Sequence, residues 1–256
     1  MLRSGQIESV NNLCNVVDLK GKRVLEIGGD SKYEVANLLL EKGVAHVTTI
    51  NIGSNFPTGE VNEKLSTVKL DATQLTSKFS EGTFDIAFGV AILEHVNNVP
   101  LMLDQLYDVL KSGGIALLHG GPIWSSRKGH HTWVKSGQNV YRFSDQNTNP
   151  IPDWYHLLLN YDEMIEYLIT EKKLSSQDAS AIAEHVYKSP NLSRKSYFEI
   201  LEAFDNSKFY KVKMIESCGL KPSVEMAEKL SKTKWKAQTK FDVSGLGFVV
   251  RKSKPV

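Results

Sequence analysis

Val24-Leu25-Glu26-Ile27-Gly28-Gly29-Asp30 is a hydrophobic run that closes on acidic residues and two glycines. Ser31-Lys32-Tyr33-Glu34 follows at once. A serine three residues ahead of a glutamate has the spacing of a capping box and predicts the start of a helix. A strand, a glycine turn and a helix N-terminus leave backbone N–H groups free to meet an anionic group. Glu26, just ahead of the turn, suits a cation. A ligand carrying both charges, such as an amino acid-bearing cofactor, fits that pair better than a pyrophosphate does.

Outward from this stretch the chain alternates strand and helix. A lead-in helix is expected over 6–17 and the first strand over Arg23–Ile27. The next helix places Val35, Leu38 and Leu39 on one face and stops near Gly43. Strands follow at His46–Ile52, Thr67–Leu70 and Phe84–Val90, the last an apolar run of the kind a buried parallel strand shows. Pro100 fits the first turn of a helix whose Leu103, Leu106, Tyr107 and Leu110 share a face, with Gly113-Gly114 as its end. Ile115–His119 is strand five. From Gly120 to about Asn160 the periodicity lapses into glycines, prolines, aromatics and histidines, the mark of a functional loop more than of a connection. Helical spacing returns around Met164, Ala179 and Tyr197. Phe209–Cys218 and Gly247–Arg251 look like a final antiparallel pair of strands, and the Lys-rich tail after them like a solvated end.

The predicted fold is α/β: a doubly wound, mostly parallel seven-stranded sheet with an antiparallel edge strand and a largely helical insertion after strand five. The domain reading is one domain over 1–256, with a helical lead-in at 1–20 and a lid and substrate-binding insertion at 120–205. Length is sufficient for such a core at 256 residues. A net charge of +2 and the lack of a polybasic run argue against nucleic acid as a partner. Two cysteines, Cys14 and Cys218, show neither zinc-ligand nor CxxC spacing and fit a reducing, cytoplasmic setting. No apolar run is long enough to predict a membrane span or a signal sequence. A small-molecule substrate is the expected partner, and a homodimer the assembly allowed for.

In an open α/β sheet, ligands bind beyond the carboxyl ends of the strands. Here those ends carry Glu26, Gly28 and Gly29; then Asn51 and Ile52; then Asp71-Ala72; then Val90-Ala91-Ile92-Leu93-Glu94-His95. In these residues, and in Leu110-Lys111-Ser112-Gly113-Gly114, the chain resembles the class I, Rossmann-like S-adenosylmethionine-dependent methyltransferases that act on small molecules or saccharides. The resemblance covers roughly residues 20–120, with motif order and spacing kept. It implies that Gly28 and Gly29 admit the methionine part of the cofactor and that Glu26 orients its amino group. It implies likewise that Asn51 and Ile52 sit at the ribose position, that Asp71 and Ala72 meet the adenine, and that Val90, Leu93 and His95 line the cofactor after strand four. Two departures stand out. Asp30 and Lys32 occupy places where the family has further glycines, and Asn51 replaces an acid, losing a charge-assisted bond to ribose.

The acceptor is expected over the irregular segment. Trp124, Trp154, Arg127 and His156 are the candidate substrate contacts, aromatic faces and a cation suited to a sugar or planar molecule. Methyl transfer from a sulfonium to a hydroxyl needs alignment and removal of a proton. His131 is the first candidate base, with His130 and His119 behind it. A divalent metal held by His130, His131 and Asp145 or Asp153 is a weaker arrangement, since adjacent histidines lack helical ligand spacing. The function so read is methyl transfer to a hydroxyl of a sugar or natural product. A cofactor-binding pseudoenzyme or partner-binding protein is the alternative. An RNA methyltransferase or a nicotinamide-dependent oxidoreductase ranks lower, because the base-gripping motif and the G-x-G-x-x-G spacing are missing.

Overall fold

The computed structural model describes residue 2, residues 4–237 and residues 240–253. Its chain order is α1 (Ser4–Cys14), β1 (Arg23–Ile27), α2 (Glu34–Glu41), β2 (His46–Asn51), β3 (Gly59–Asn62), β4 (Leu65–Lys69), a 3-10 turn at Ala72–Ser77, β5 (Phe84–Gly89), α3 (Val99–Val109) and β6 (Leu110–Gly120). Then come β7 (Trp133–Ser136), β8 (Asn139–Arg142), α4 (Tyr155–Leu158), α5 (Tyr161–Thr170), α6 (Ser176–Lys188), α7 (Tyr197–Asp205), β9 (Tyr210–Cys218), α8 (Val224–Ser231) and β10 (Val243–Arg251).

The sheet runs β3-β4-β2-β1-β5-β6-β10-β9. β4, β2, β1, β5 and β6 run parallel to one another, and β3 is antiparallel to β4. Gly113 N–H donates to the Lys252 carbonyl and Lys252 N–H to that of Gly114, which sets β10 antiparallel to β6. This is the α/β Rossmann-like arrangement expected, with its antiparallel edge. The eighth strand is β3, a short exposed strand in a segment expected to be loop. It is too short and too polar to show an alternation.

Four further differences stand out. Ser31 does not cap α2: the helix begins at Glu34, after Tyr33 in the left-handed region. Asp30 has taken the turn, its Oδ1 accepting Lys32 N–H at 2.7 Å and its carbonyl accepting Tyr33 N–H at 3.2 Å. α3 stops at Val109, and Gly113-Gly114 lie inside β6, where the pairing with β5 shifts register. The irregular stretch holds the β7–β8 hairpin, whose two-residue turn carries Gly137 at φ 56°. In the tail, expected to be solvated, Lys252 is buried: Nζ donates to the Leu110 carbonyl at 3.0 Å and lies over the Tyr107 ring. The rest of that tail, 254–256, lies outside the described residues, as do residues 1 and 3 of the lead-in.

The chain divides into two compact units, Met1–Gly120 with Ile200–Ile215 and Gly247–Val256, and Gly121–Glu199 with Glu216–Leu246. The first has its core where α1 and α2 pack on the sheet, around Leu13, Leu39, Val24, Phe88 and Val249. Burying each such side chain contributes roughly 1.5–3 kcal/mol. On β10, Phe248 stacks on Phe204 of α7 with ring centroids 3.8 Å apart. The second unit is centred on Trp124, Trp154, Met164, Leu168, Ile182 and Val186. There Asp178 of α6 accepts from Tyr141 and Asn139 of the hairpin at 3.0 Å each, and these bonds tie β8 to the helix. Among the described residues no helix is long and apolar enough to cross a membrane.

Candidate functional site

β1 is buried from Val24 to Ile27, and Glu26 within it is 4% exposed. Thr49 on β2, opposite it in register, donates its hydroxyl to Oε2 at 2.7 Å. Burial pushes the Glu26 carboxyl up from 4.5 to about 7, the Thr49 bond holds it partly down, and the Asp30 carboxylate raises it again.

The two glycines beyond it are demanded by geometry. Gly28 has φ 79°, and a Cβ there would stand 2.7 Å from Ile92 Cγ2. A Cβ on Gly29 would run into the Thr49 methyl and sit 2.8 Å from Glu26 Oε2. Ile92 also presses on Gly89, and its N–H donates to the His119 carbonyl. One residue thus fits the ends of β1, β5 and β6 together, by its side chain at the first two and its N–H at the third. Ala91, beside it, is held at φ 58°, a backbone conformation costly for a residue with a Cβ.

These features surround a cavity of about 440 Å³, whose wall includes Glu26, Gly28, Gly29, Asp30, Val90 and Ala91. Of the residues expected to hold a cofactor, Glu26, Gly28, Gly29 and Val90 therefore meet at one cavity. Gln6, Lys32 and Phe88 also line it and were not foreseen. Lys32 follows the glycine turn and was within reach of sequence reasoning. Gln6 gets there through the packing of α1, which leaves no local signal.

The other cofactor candidates lie at neighbouring strand ends. Asn51 Nδ2 donates to the Gly29 carbonyl and its Oδ1 accepts Gly53 N–H, both at 2.8 Å. The amide thus ties the first strand's turn to the second's, and keeps one N–H and one lone pair spare. Ile52 is exposed. Asp71 caps the 3-10 turn, its Oδ1 accepting both the N–H and the hydroxyl of Thr73, and Ala72 is buried behind it. Leu93 is fully buried and packs where a Gly120 Cβ would go, whereas His95 is exposed.

His119 stands on β6 in the same unit, mostly buried, and burial lowers its pKa. A Cβ on Gly247 would come 3.0 Å from its ring.

The second unit holds the remaining candidates, and their placement corrects the picture of an aromatic pocket wall. Trp124, Trp154 and His156 are core residues, each 5% exposed or less. His156 Nε2 donates to the Trp124 carbonyl at 2.8 Å, and its ring meets Trp124 edge-on at 4.8 Å. Trp154 Nε1 donates to the Phe241 carbonyl. Burial pushes His156 down to about 4, so it is neutral in the fold. His130 is also fully buried. Its Nδ1 accepts Thr132 N–H and lies 2.7 Å from the Thr132 hydroxyl, and burial drives its pKa well down. The Trp124 and Trp154 rings belong to the core of this unit. Arg127 pairs with Asp153 at 3.6 Å.

His131 differs from its neighbour. It is half-buried at φ 45°, its ring lies against Phe143, and its carbonyl accepts from His185 Nε2. Asp153 pairs with Arg127, and Asp145 Oδ1 accepts Asn147 N–H. No group of three or more metal-ligating side chains occurs among the described residues. Two aromatics described in this unit are exposed: Trp133, at 60% on the hairpin and opposite Arg142, and Phe198, at 39% on α7.

Over residues 9–176 the sequence matches the family described as a methyltransferase domain. No curated protein matches it. Among solved structures it is similar to an S-adenosylmethionine-dependent methyltransferase from Mesorhizobium loti, with 14% identity, a TM-score of 0.54, and 94% of this chain and 96% of that one covered. A protein described as a sarcosine dimethylglycine methyltransferase, from Galdieria sulphuraria, aligns at 10% identity and a TM-score of 0.53, covering 98% and 86%. The [4+2]-cyclase SpnF aligns at 12% identity and 0.54, covering 98% and 82%. At such identities the likeness is one of fold.

Proposed function

Since this chain belongs to the methyltransferase-domain family, with S-adenosylmethionine as its methyl donor, we propose that it methylates a hydroxyl of a small-molecule acceptor, a sugar or natural product. The observation that carries the cofactor half is the inward Glu26 carboxylate under the Gly28–Gly29 turn, at a cavity walled by backbone. A cofactor with an amino acid end fits that wall: ammonium toward Glu26, carboxylate toward the turn's N–H groups. When bound, S-adenosylmethionine supplies a methyl group on a sulfonium.

The chain's own residues bind and orient. Asn51 has a spare N–H and lone pair for a ribose hydroxyl, beside Ile52. Asp71 Oδ2 and the Ala72 N–H suit an adenine edge, while Val90, Leu93 and His95 belong to the loop after β5. For the acceptor hydroxyl, the proposed proton acceptor is a histidine ring nitrogen. His130 is locked in the core, which leaves His131 and His119 as the candidates. The unit of residues 121–199 and 216–246 is the proposed seat of acceptor choice, with Trp133 and Arg142 joining Arg127 as side chains that solvent can reach.

Purified protein incubated with S-adenosylmethionine and a panel of sugars and phenols should yield a product heavier by one methyl. Replacing the base by alanine should lower kcat by about 10²–10⁴-fold. A His131→Ala and a His119→Ala variant that both keep full kcat would refute a histidine base. Failure of S-adenosylhomocysteine to bind by calorimetry would refute the cofactor site.

A further inference from the structure

The parallel strands that end at the cofactor cavity begin at another one. A second cavity of about 440 Å³ opens at the start of β1 and β2 and is lined by Arg23, His46, Thr48, Glu60, Ser66 and Lys78, among others. Arg23 lies five residues before Gly28, so at about 3.3 Å per residue the two sites are roughly 16 Å apart along β1. The register explains the grouping. Arg23 is opposite His46, Thr48 is opposite Ser66, and Ser66 is opposite Glu60. Residues two apart on a strand share a face, which puts His46 and Thr48 on the same side.

The lining has more donors than acceptors. The Arg23 guanidinium and the Lys78 ammonium have no ion-pair or hydrogen-bond partner among the described residues. The carboxylate facing them is Glu60, an exposed residue. Asp85, the next acid along, already accepts Arg23 N–H and the Lys111 ammonium, each at 2.9 Å. The hydroxyls of Thr48 and Ser66 share one hydrogen bond of 3.1 Å, so one of their two protons is left over. Thr58 Oγ1 accepts Lys69 N–H, and its own proton is likewise not committed. His46 Nδ1 is buried with no partner among the described residues. Burial lowers the His46 pKa, the Arg23 charge lowers it further, and Glu60 opposes them.

We propose that this cavity binds the phosphate group of a hydroxylated small molecule, with Arg23 and Lys78 on the phosphate and the Thr48–Ser66 pair, Thr58 and His46 as further donors. A doubly charged oxyanion uses several donors at once, and a guanidinium beside an ammonium and hydroxyls matches that need. The volume is that of a small-metabolite site and exceeds what a bare phosphate fills. The site lies at the amino ends of the strands, away from the cofactor, so its ligand is distinct from the methyl donor.

The test follows the His46 ring protons by NMR between pH 5 and 8 at constant ionic strength. The probes are glucose 6-phosphate, inorganic phosphate and glucose. Glucose 6-phosphate should shift the His46 signals saturably and raise the His46 pKa, because an anion offsets the Arg23 charge. Arg23→Ala and Lys78→Ala should each weaken this about tenfold or more, while the Gly28 and Gly29 amide signals stay in place. Absence of a saturable shift with either phosphate compound would overturn the proposal. So would a shift that both variants leave intact. Inorganic phosphate binding as tightly as the ester would overturn the assignment of a hydroxylated organic part.

Discussion

Replacing Glu26 by glutamine should stabilise the cofactor-free protein and weaken its cofactor site. The unfolded chain releases this proton near 4.5, the folded protein near 7, chiefly because the carboxyl is buried. Between those values the fold holds a proton that the unfolded chain has lost. Stability therefore falls as pH rises through this window, and the loss is complete above 7. At about 1.4 kcal/mol per pH unit the full cost is roughly 3 kcal/mol. Glutamine has no proton to lose, and its carbonyl can still accept from Thr49. The stability gap between Glu26→Gln and wild type should thus widen by roughly 2 kcal/mol from pH 5.5 to 8.5, measured as urea midpoints and slopes. At pH 8.5 the variant should bind S-adenosylhomocysteine about 10- to 100-fold more weakly by calorimetry, the loss of a hydrogen bond to a charged group. A stability gap equal at both pH values, or an affinity unchanged, would refute the reasoning.

Gly29→Ala should cost about 1–3 kcal/mol in thermal denaturation, since its Cβ meets Thr49 and the Glu26 carboxylate and neither can retreat from a packed strand. Asn51→Asp, which restores the acid usual at that position, should weaken rather than strengthen S-adenosylhomocysteine binding in calorimetry. It replaces a donor to the Gly29 carbonyl by a second acceptor. His156 titrates near 6.5 when unfolded and about 4 in the fold, so its contribution is lost as pH falls from 6.5 toward 4. His156→Gln keeps a donor for the Trp124 carbonyl and adds no charge. Its urea midpoint should fall less than that of wild type between pH 7.5 and 4.5.

The first five parallel-sheet strands were legible because their apolar runs are bounded by glycines and end in polar residues. Arg23–Ile27 coincides with β1 to the residue. What escaped was decided by competition among local hydrogen bonds. Ser31 and Glu34 have the right spacing for a capping box, yet Asp30 reaches the same backbone first. The β7–β8 hairpin was hidden because each strand is four residues long and its anchor, Asp178, is 37 residues beyond Tyr141. The site divides in the same way. Glu26, Gly28, Gly29 and Val90 belong to contiguous motifs and do meet. The histidine and tryptophan residues after Gly120 were grouped by composition alone, which does not distinguish a core from a pocket.

The two missing glycines of the turn now have a physical account. A glycine there would supply freedom of φ. This chain supplies the turn by side-chain chemistry instead, with Asp30 Oδ1 on Lys32 N–H and Asn51 Nδ2 on the Gly29 carbonyl. The left-handed residue the turn still needs is Tyr33, at φ 56°, and Ala91 is a second at φ 58°. Each costs about 1–3 kcal/mol. With the Glu26 carboxylate ionised above pH 7, three unfavourable elements belong to the same turn and cavity. A ligand ammonium would relieve the last of them and leave the other two unchanged. Cofactor binding should therefore release a proton below pH 7 and gain affinity up to that pH. The strained backbone is in place without the ligand, and the ionisation of one buried carboxyl is what binding completes.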